Sequence, residues 1–140
     1  MQQNESAAQI ELFKLIRLRA KTSAKWNSIF AIPNGGLRNK TVAAKMQAEG
    51  AKAGVWDIFV PIQTETRAGL FIEMKHGKNK TTAAQTEFLH TLSEANIGFK
   101  SYEWRICYNH KEAYDAICDY FQEESKNKKG VNKIYSIYTK

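Results

Sequence analysis

The stretch GVWDIFVPIQTETRAGLFIEMKHGK, residues 54–78, carries three side chains suited to holding a hard cation and steadying a developing negative charge: Asp57, Glu73 and Lys75. Asp57 heads one apolar run, DIFVPI, and the triplet Glu73-Met74-Lys75 ends the next, GLFIEMK. Residues two apart on a strand point to the same face. Glu73 and Lys75 therefore project together, and Met74 points away. If the two runs pair as a hairpin, Asp57 begins the strand beside Glu73 and two carboxylates meet. Such a pair repels in a partly buried place unless a cation lies between them. Carboxylate oxygens with positions left for water suit Mg²⁺ or Mn²⁺. A cation held there could take a phosphate oxygen and acidify a bound water. Lys75 would then orient the attacking water or stabilise charge on phosphorus. An isolated E-x-K triplet is more often the polar end of a surface strand. The longer pattern is the specific one: Gly-Val-x-Asp, an apolar strand, a turn, and a second apolar strand ending in E-x-K.

Periodicity adds two residues. Gln85 shares a helical face with Phe88, Leu89 and Leu92, at i+3, i+4 and i+7. An amide on a core-facing stripe needs partners, because an unpaired buried polar group costs a few kcal/mol. The other reading is a helix-start Gln in water. Glu5 lies three residues before Ala8 and seven before Leu12, which puts it on the buried stripe of the first helix. A carboxylate placed to suit a helix N-terminus fits nearly as well. His76, Lys78 and Lys80 follow the triplet and are either phosphate contacts or a solvated turn. The three histidines, His76, His90 and His110, have no mutual ligand spacing, so a zinc site is not expected. Gly77-Lys78 lacks the upstream glycine of a P-loop, so no nucleotide cofactor is expected.

The elements that must position these residues can be read along the chain. A helix is predicted over residues 5–20, with Ala8, Leu12, Leu15 and Ile16 on its apolar stripe. A short strand at 29–32 is broken by Pro33-Asn34-Gly35-Gly36. An exposed helix rich in Ala, Lys and Gln covers 39–52 and stops at Gly50 or Gly54. Residues 57–62 and 69–75 form the hairpin, with Pro61 near a strand end. TTAAQTEFLHTLSEANIG is a helix with a Thr cap and a Gly98 stop. A strand over 99–109 and a helix over 110–124, with Ala113, Ile117 and Phe121 inward, complete the pattern. That order predicts an α/β domain with a mixed central sheet flanked by helices.

The totals bound the function. The 140 residues suffice for one domain, 1–124, followed by a basic extension, 125–140, in which Ile134, Tyr135, Ile137 and Tyr138 interleave with lysines. That extension either lines a DNA groove or forms a terminal strand. Lys and Arg outnumber Asp and Glu by 21 to 14, a net charge of +7. This balance suits a polyanionic partner, through phosphate neutralisation, as well as simple solubility. Cys107 and Cys118 fit no metal spacing and read as reduced packing residues. With no apolar run of membrane-spanning length and no signal-peptide order at the start, no membrane partner and a cytoplasmic location are expected.

At Gly54-Val55-Trp56-Asp57, Glu73-Met74-Lys75 and Gln85, the chain resembles the PD-(D/E)XK nucleases, and within them the VRR-NUC (virus-type replication-repair nuclease) branch. The resemblance runs from about Glu5 to Gly98. Asn34-Gly35-Gly36 is similar to the glycine-bearing turn after that family's first strand, which assigns Asn34 and Gly35 to DNA contact. Trp56 departs from the family pattern, standing where the superfamily name has Pro. The resemblance implies a restriction-endonuclease-like fold and cleavage of DNA phosphodiesters. It also implies Mg²⁺ or Mn²⁺ on Asp57, Glu73, the Met74 backbone carbonyl and Glu5, through the match Glu5-x-x-x-Gln9. Lys75 and Gln85 would assist. Stand-alone members of this size, often from phage or prophage, imply a homodimer acting on branched DNA such as four-way junctions, in a bacterial or phage-infected cell. The rival expectation is a non-catalytic basic DNA-binding module with the same fold.

Overall fold

The computed structural model describes residues 4–33 and 39–125. Asn34 and Gly35, and the extension from residue 126 on, therefore lie outside the described residues. Among the described residues, five helices and four strands follow one another: α1 (Glu5–Ala20), α2 (Ala24–Asn27), β1 (Phe30–Ala31), α3 (Lys40–Ala48), β2 (Ile58–Val60), β3 (Arg67–Met74), α4 (Ala83–Ala95), β4 (Ser101–Cys107) and α5 (His110–Phe121). The strands form one sheet in the order β1-β2-β3-β4. β1 and β2, and β2 and β3, pair antiparallel, while β3 and β4 run parallel across the α4 connection. The expected mixed α/β architecture is the observed one. Among the described residues, no helix is long and apolar enough to cross a membrane.

Strand alternation divides the core in two. Leu70, Ile72 and Met74 of β3 join Ile58 and Val60 on the side covered by α1 and α5, against Ala8, Leu12, Ile16, Ala113 and Ile117. Phe71 points the other way, into a cluster with Trp56, Leu89 and Trp104 under α4. Phe71 stacks on Trp104 at 4.6 Å and 11°, and Trp56 meets Trp104 edge-on at 4.9 Å. β3 is paired on both edges and buried from Gly69 to Met74, which makes it the rigid rail of the molecule. Glu73 lies on the same side as Phe71, as the period of two requires.

The end of α4 and the presence of α2 differ from expectation. α4 stops at Ala95, with Asn96 as its cap, short of Gly98. The Asn96 side chain explains this: its Nδ2 donates to the Lys100 carbonyl at 2.7 Å, and its Oδ1 accepts from the Gly98 N–H at 3.2 Å. These bonds turn the chain before the glycine is reached. The four-residue α2 was not anticipated either; it seats Trp26, whose Nε1 donates to Glu123 at 2.9 Å beyond the end of α5.

On the α5 side, Arg105 is buried, and its guanidinium donates to Glu103 at 2.9 Å and to Asp119 of α5 at 2.6 Å. Arg67 of β3 lies 3.6 Å from the same Glu103 carboxylate. Removing Arg105 leaves the buried Glu103 with only Arg67 beside it, whereas the Asp119 side chain, 59% exposed, can turn to water. We expect Arg105→Ala to cost about 3–5 kcal/mol of unfolding free energy, read as a lowered urea midpoint. A loss of under about 1 kcal/mol of unfolding free energy would place the network in effective contact with water.

Candidate active site

The register that pairs Ile58 with Ile72 puts Asp57 opposite Glu73, one residue before the start of β2. Main-chain groups lock both carboxylates there. The Asp57 N–H donates to Glu73 Oε1 at 3.2 Å, and the Met74 N–H donates to Asp57 Oδ2 at 2.8 Å. The Ile32 N–H, just past β1, donates to the Asp57 carbonyl at 2.7 Å, so the edge strand braces the loop from its other side. Lys75 continues from β3 with its N–H on the Cys107 carbonyl at 2.9 Å, and its ammonium lies 3.3 Å from Glu73 Oε2. The Lys75 side chain is only 8% exposed, so this ion pair is poorly screened by water.

Gln85 arrives from α4, and its orientation has a local cause. Thr82 caps the helix by accepting from the Gln85 N–H at 3.2 Å, and Gln85 Oε1 accepts from the Thr82 N–H at 2.8 Å. This reciprocal capping box spends the amide oxygen on the helix end. Only the NH₂ group is then left to face the sheet, and Nε2 donates to Glu73 Oε2. The amide on the core-facing stripe has thus found both of its partners.

The electrostatics are those of crowded carboxylates. Burial first, and the neighbouring Asp57 second, push Glu73 up from 4.5 to about 8, against the opposing pull of Lys75. Asp57 is also raised, by burial and in part by the charge of Glu5, while the Met74 N–H works the other way. Without a cation the pair therefore holds a proton near neutrality. Two hard oxygen donors with an unmet need for positive charge fit a hard divalent ion. Among the described residues, no three His, Cys, Asp or Glu side chains gather in one place, so a closed structural metal centre is not built.

Asp57, Glu73, Lys75 and Gln85 are brought together, with the Met74 backbone among them. Glu5 is not on the buried stripe: it is exposed in the first turn of α1, and the buried residues of that helix begin at Ala8. Its charge nonetheless reaches Asp57. His76 is half-buried, and Lys78 and Lys80 are exposed, on the turn between β3 and α4. That turn is closed by the Asn79 N–H on the His76 carbonyl at 3.1 Å, and Tyr108 donates to the Asn79 carbonyl at 3.0 Å. Sequence reasoning saw a Thr cap, without choosing between Thr81 and Thr82, and missed that it orients Gln85; the T-x-x-Q spacing is the signal that could have shown it.

No family model and no curated protein matches the chain. Among solved structures, one described as "VRR_NUC domain protein" is similar, with 22% identity, coverage of 82% of this chain and 88% of that one, and a TM-score of 0.57. At that identity the likeness is one of fold. The chain has a VRR-NUC-like α/β fold, in agreement with the motif resemblance.

Proposed function

We propose that this protein is a divalent-metal-dependent DNA endonuclease that prefers branched substrates such as four-way junctions. One observation carries the reading: a hairpin and a helix N-terminus converge so that Asp57, Glu73, Lys75 and Gln85 meet at one end of the sheet. The likeness to a protein described as a VRR_NUC domain protein supports the same class of activity. Asp57 and Glu73 would hold Mg²⁺ or Mn²⁺, with the Met74 carbonyl as a further oxygen donor, and Glu5, which does not gather with them as a third carboxylate, would act on the site through its charge. When bound, such an ion supplies Lewis-acid polarisation of the phosphate and a more acidic water.

The chain's own residues do the rest. Lys75, restrained beside Glu73, presents a cation where negative charge grows on the phosphate oxygens. Gln85 holds the Glu73 carboxylate in one orientation, so its oxygens need no rearrangement as charge develops. His76, Lys78 and Lys80, with Asn34 and Gly35, contact the DNA backbone, and the net charge of +7 favours its approach. A homodimer would set two such sites in fixed relation, matching the near-symmetry of a four-way junction.

The deciding assay incubates labelled linear, flapped and four-way junction DNA with the protein in Mg²⁺, in Mn²⁺ and in excess chelator. Cleavage is expected only with metal, and most strongly at the junction. Activity in chelator would overturn the mechanism. Binding without cleavage under every condition would return the protein to a non-catalytic DNA module. A monomer mass by light scattering at micromolar concentration, with equal cutting of all substrates, would remove the junction preference.

A further inference from the structure

Trp56 stands one residue before Asp57, with its side chain fully buried. Its indole Nε1 donates to the main-chain carbonyl of Gln85 at 3.1 Å. Two residues earlier, Gly54 has φ +84°, and a Cβ there would lie 2.2 Å from the Ala84 carbonyl oxygen and 2.4 Å from the Ala84 carbonyl carbon. That backbone conformation strains any L side chain, and the contact is with backbone that has nowhere to yield. The loop delivering Asp57 therefore touches the first turn of α4 twice, at consecutive residues Ala84 and Gln85. Gln85 reaches Glu73, Glu73 accepts from the Asp57 N–H, and Asp57 accepts from the Met74 N–H. The contacts close a ring.

We infer that Trp56 is a positioning residue: its N–H bond to Gln85, backed by the Gly54–Ala84 approach, sets the distance between the Asp57 loop and α4, and so the spacing of Asp57, Glu73 and Gln85. This rests on the metal-site reading above. The indole is suited to the task because its wide ring is held by the cluster with Phe71, Leu89 and Trp104 while its one donor sits at the rim. Phe fills most of the same space but has no donor. A bond that orients a group next to a metal ligand acts on affinity far more than on folding.

The test compares Trp56→Phe with Trp104→Phe, which thins the same cluster but leaves the Trp56–Gln85 bond in place. Mn²⁺ affinity is measured by calorimetry and the Gln85 side-chain amide resonances by NMR in metal-free protein. Both variants should melt within about 5 °C of the parent. Trp56→Phe should bind Mn²⁺ roughly tenfold more weakly, shift the Gln85 amide resonances, and lower kcat with KM for DNA unchanged. Trp104→Phe should do none of these. If Trp56→Phe unfolds, replacement of Trp56 by its benzothienyl isostere keeps the ring shape and deletes only the donor. Unchanged affinity and unchanged Gln85 resonances in a folded donor-less variant overturn the inference, as does an equal loss in Trp104→Phe. A parent protein that fails to bind Mn²⁺ at all overturns the metal reading instead, and the Gln85 resonances still decide the role of Trp56.

Discussion

Asp57→Ala and Glu73→Ala should each reduce cleavage by roughly a thousandfold or more, yet leave the fold intact and the metal-free melting temperature unchanged or higher. The two carboxylates face each other across the β2–β3 hairpin: burial raises both, and the charge of Asp57 makes Glu73 harder still to ionise, while a hydrogen bond with Glu73 eases the ionisation of Asp57. Deleting either removes a buried acid whose ionisation burial opposes, and with it half of the donor set. The pH dependence has a definite sign. Glu73 keeps its proton in the folded chain up to about 8 but loses it near 4.5 when unfolded, so between those values the native state binds more protons. Stability in chelator is fully present below 4.5 and falls as pH rises toward 8. Glu73→Gln, which keeps an acceptor for Gln85, should flatten that slope. Added Mn²⁺ favours the ionised pair, so its stabilising effect should be larger at pH 8 than at pH 5.5. Urea midpoints at both pH values, for parent and Glu73→Gln, check this. Identical slopes in the two proteins would show that Glu73 does not titrate across the window.

How much of this was legible before any coordinates depends on whether the physics is local. The hairpin and the shared face of Glu73 and Lys75 follow from a period of two, and the structure keeps Met74 on the opposite side, in the α1/α5 core. α1 begins and ends where its apolar spacing placed it. Gln85 was found because four residues at helical spacing share one stripe. Trp56 could be seen only as a departure from a pattern, since the carbonyl it holds is 29 residues away in the chain. Gly54 looked like a helix stop, whereas its cause is the approach of Ala84, which no local rule encodes. Glu5 was misplaced because periodicity gives a direction around a helix but not where along it burial begins, which is at Ala8. The Glu103–Arg105 pair was within reach, two apart on one strand face, but its third member, Asp119, comes from packing against α5.

Lys75→Ala should lower turnover by roughly 10²–10³-fold while leaving DNA affinity within a few-fold, because its charge is one among 21 Lys and Arg but its place beside Glu73 is not duplicated. A complication must be separated out. The ammonium also opposes the upward push on Glu73, so its removal makes that carboxylate harder still to ionise and weakens metal binding at neutral pH. Raising the pH repairs this second loss, since Glu73 then gives up its proton without help. It cannot replace a cation at the reacting phosphate. Mn²⁺ titrations and single-turnover rates at pH 7 and pH 9 distinguish the two effects. At pH 9 the variant should bind Mn²⁺ nearly as the parent does and still cut slowly. Recovery of the rate along with metal binding would reduce Lys75 to an electrostatic partner of Glu73. A fall in DNA affinity parallel to the rate would make it a phosphate-docking residue, and either result would transfer the stabilisation of the transition state to another residue of the site.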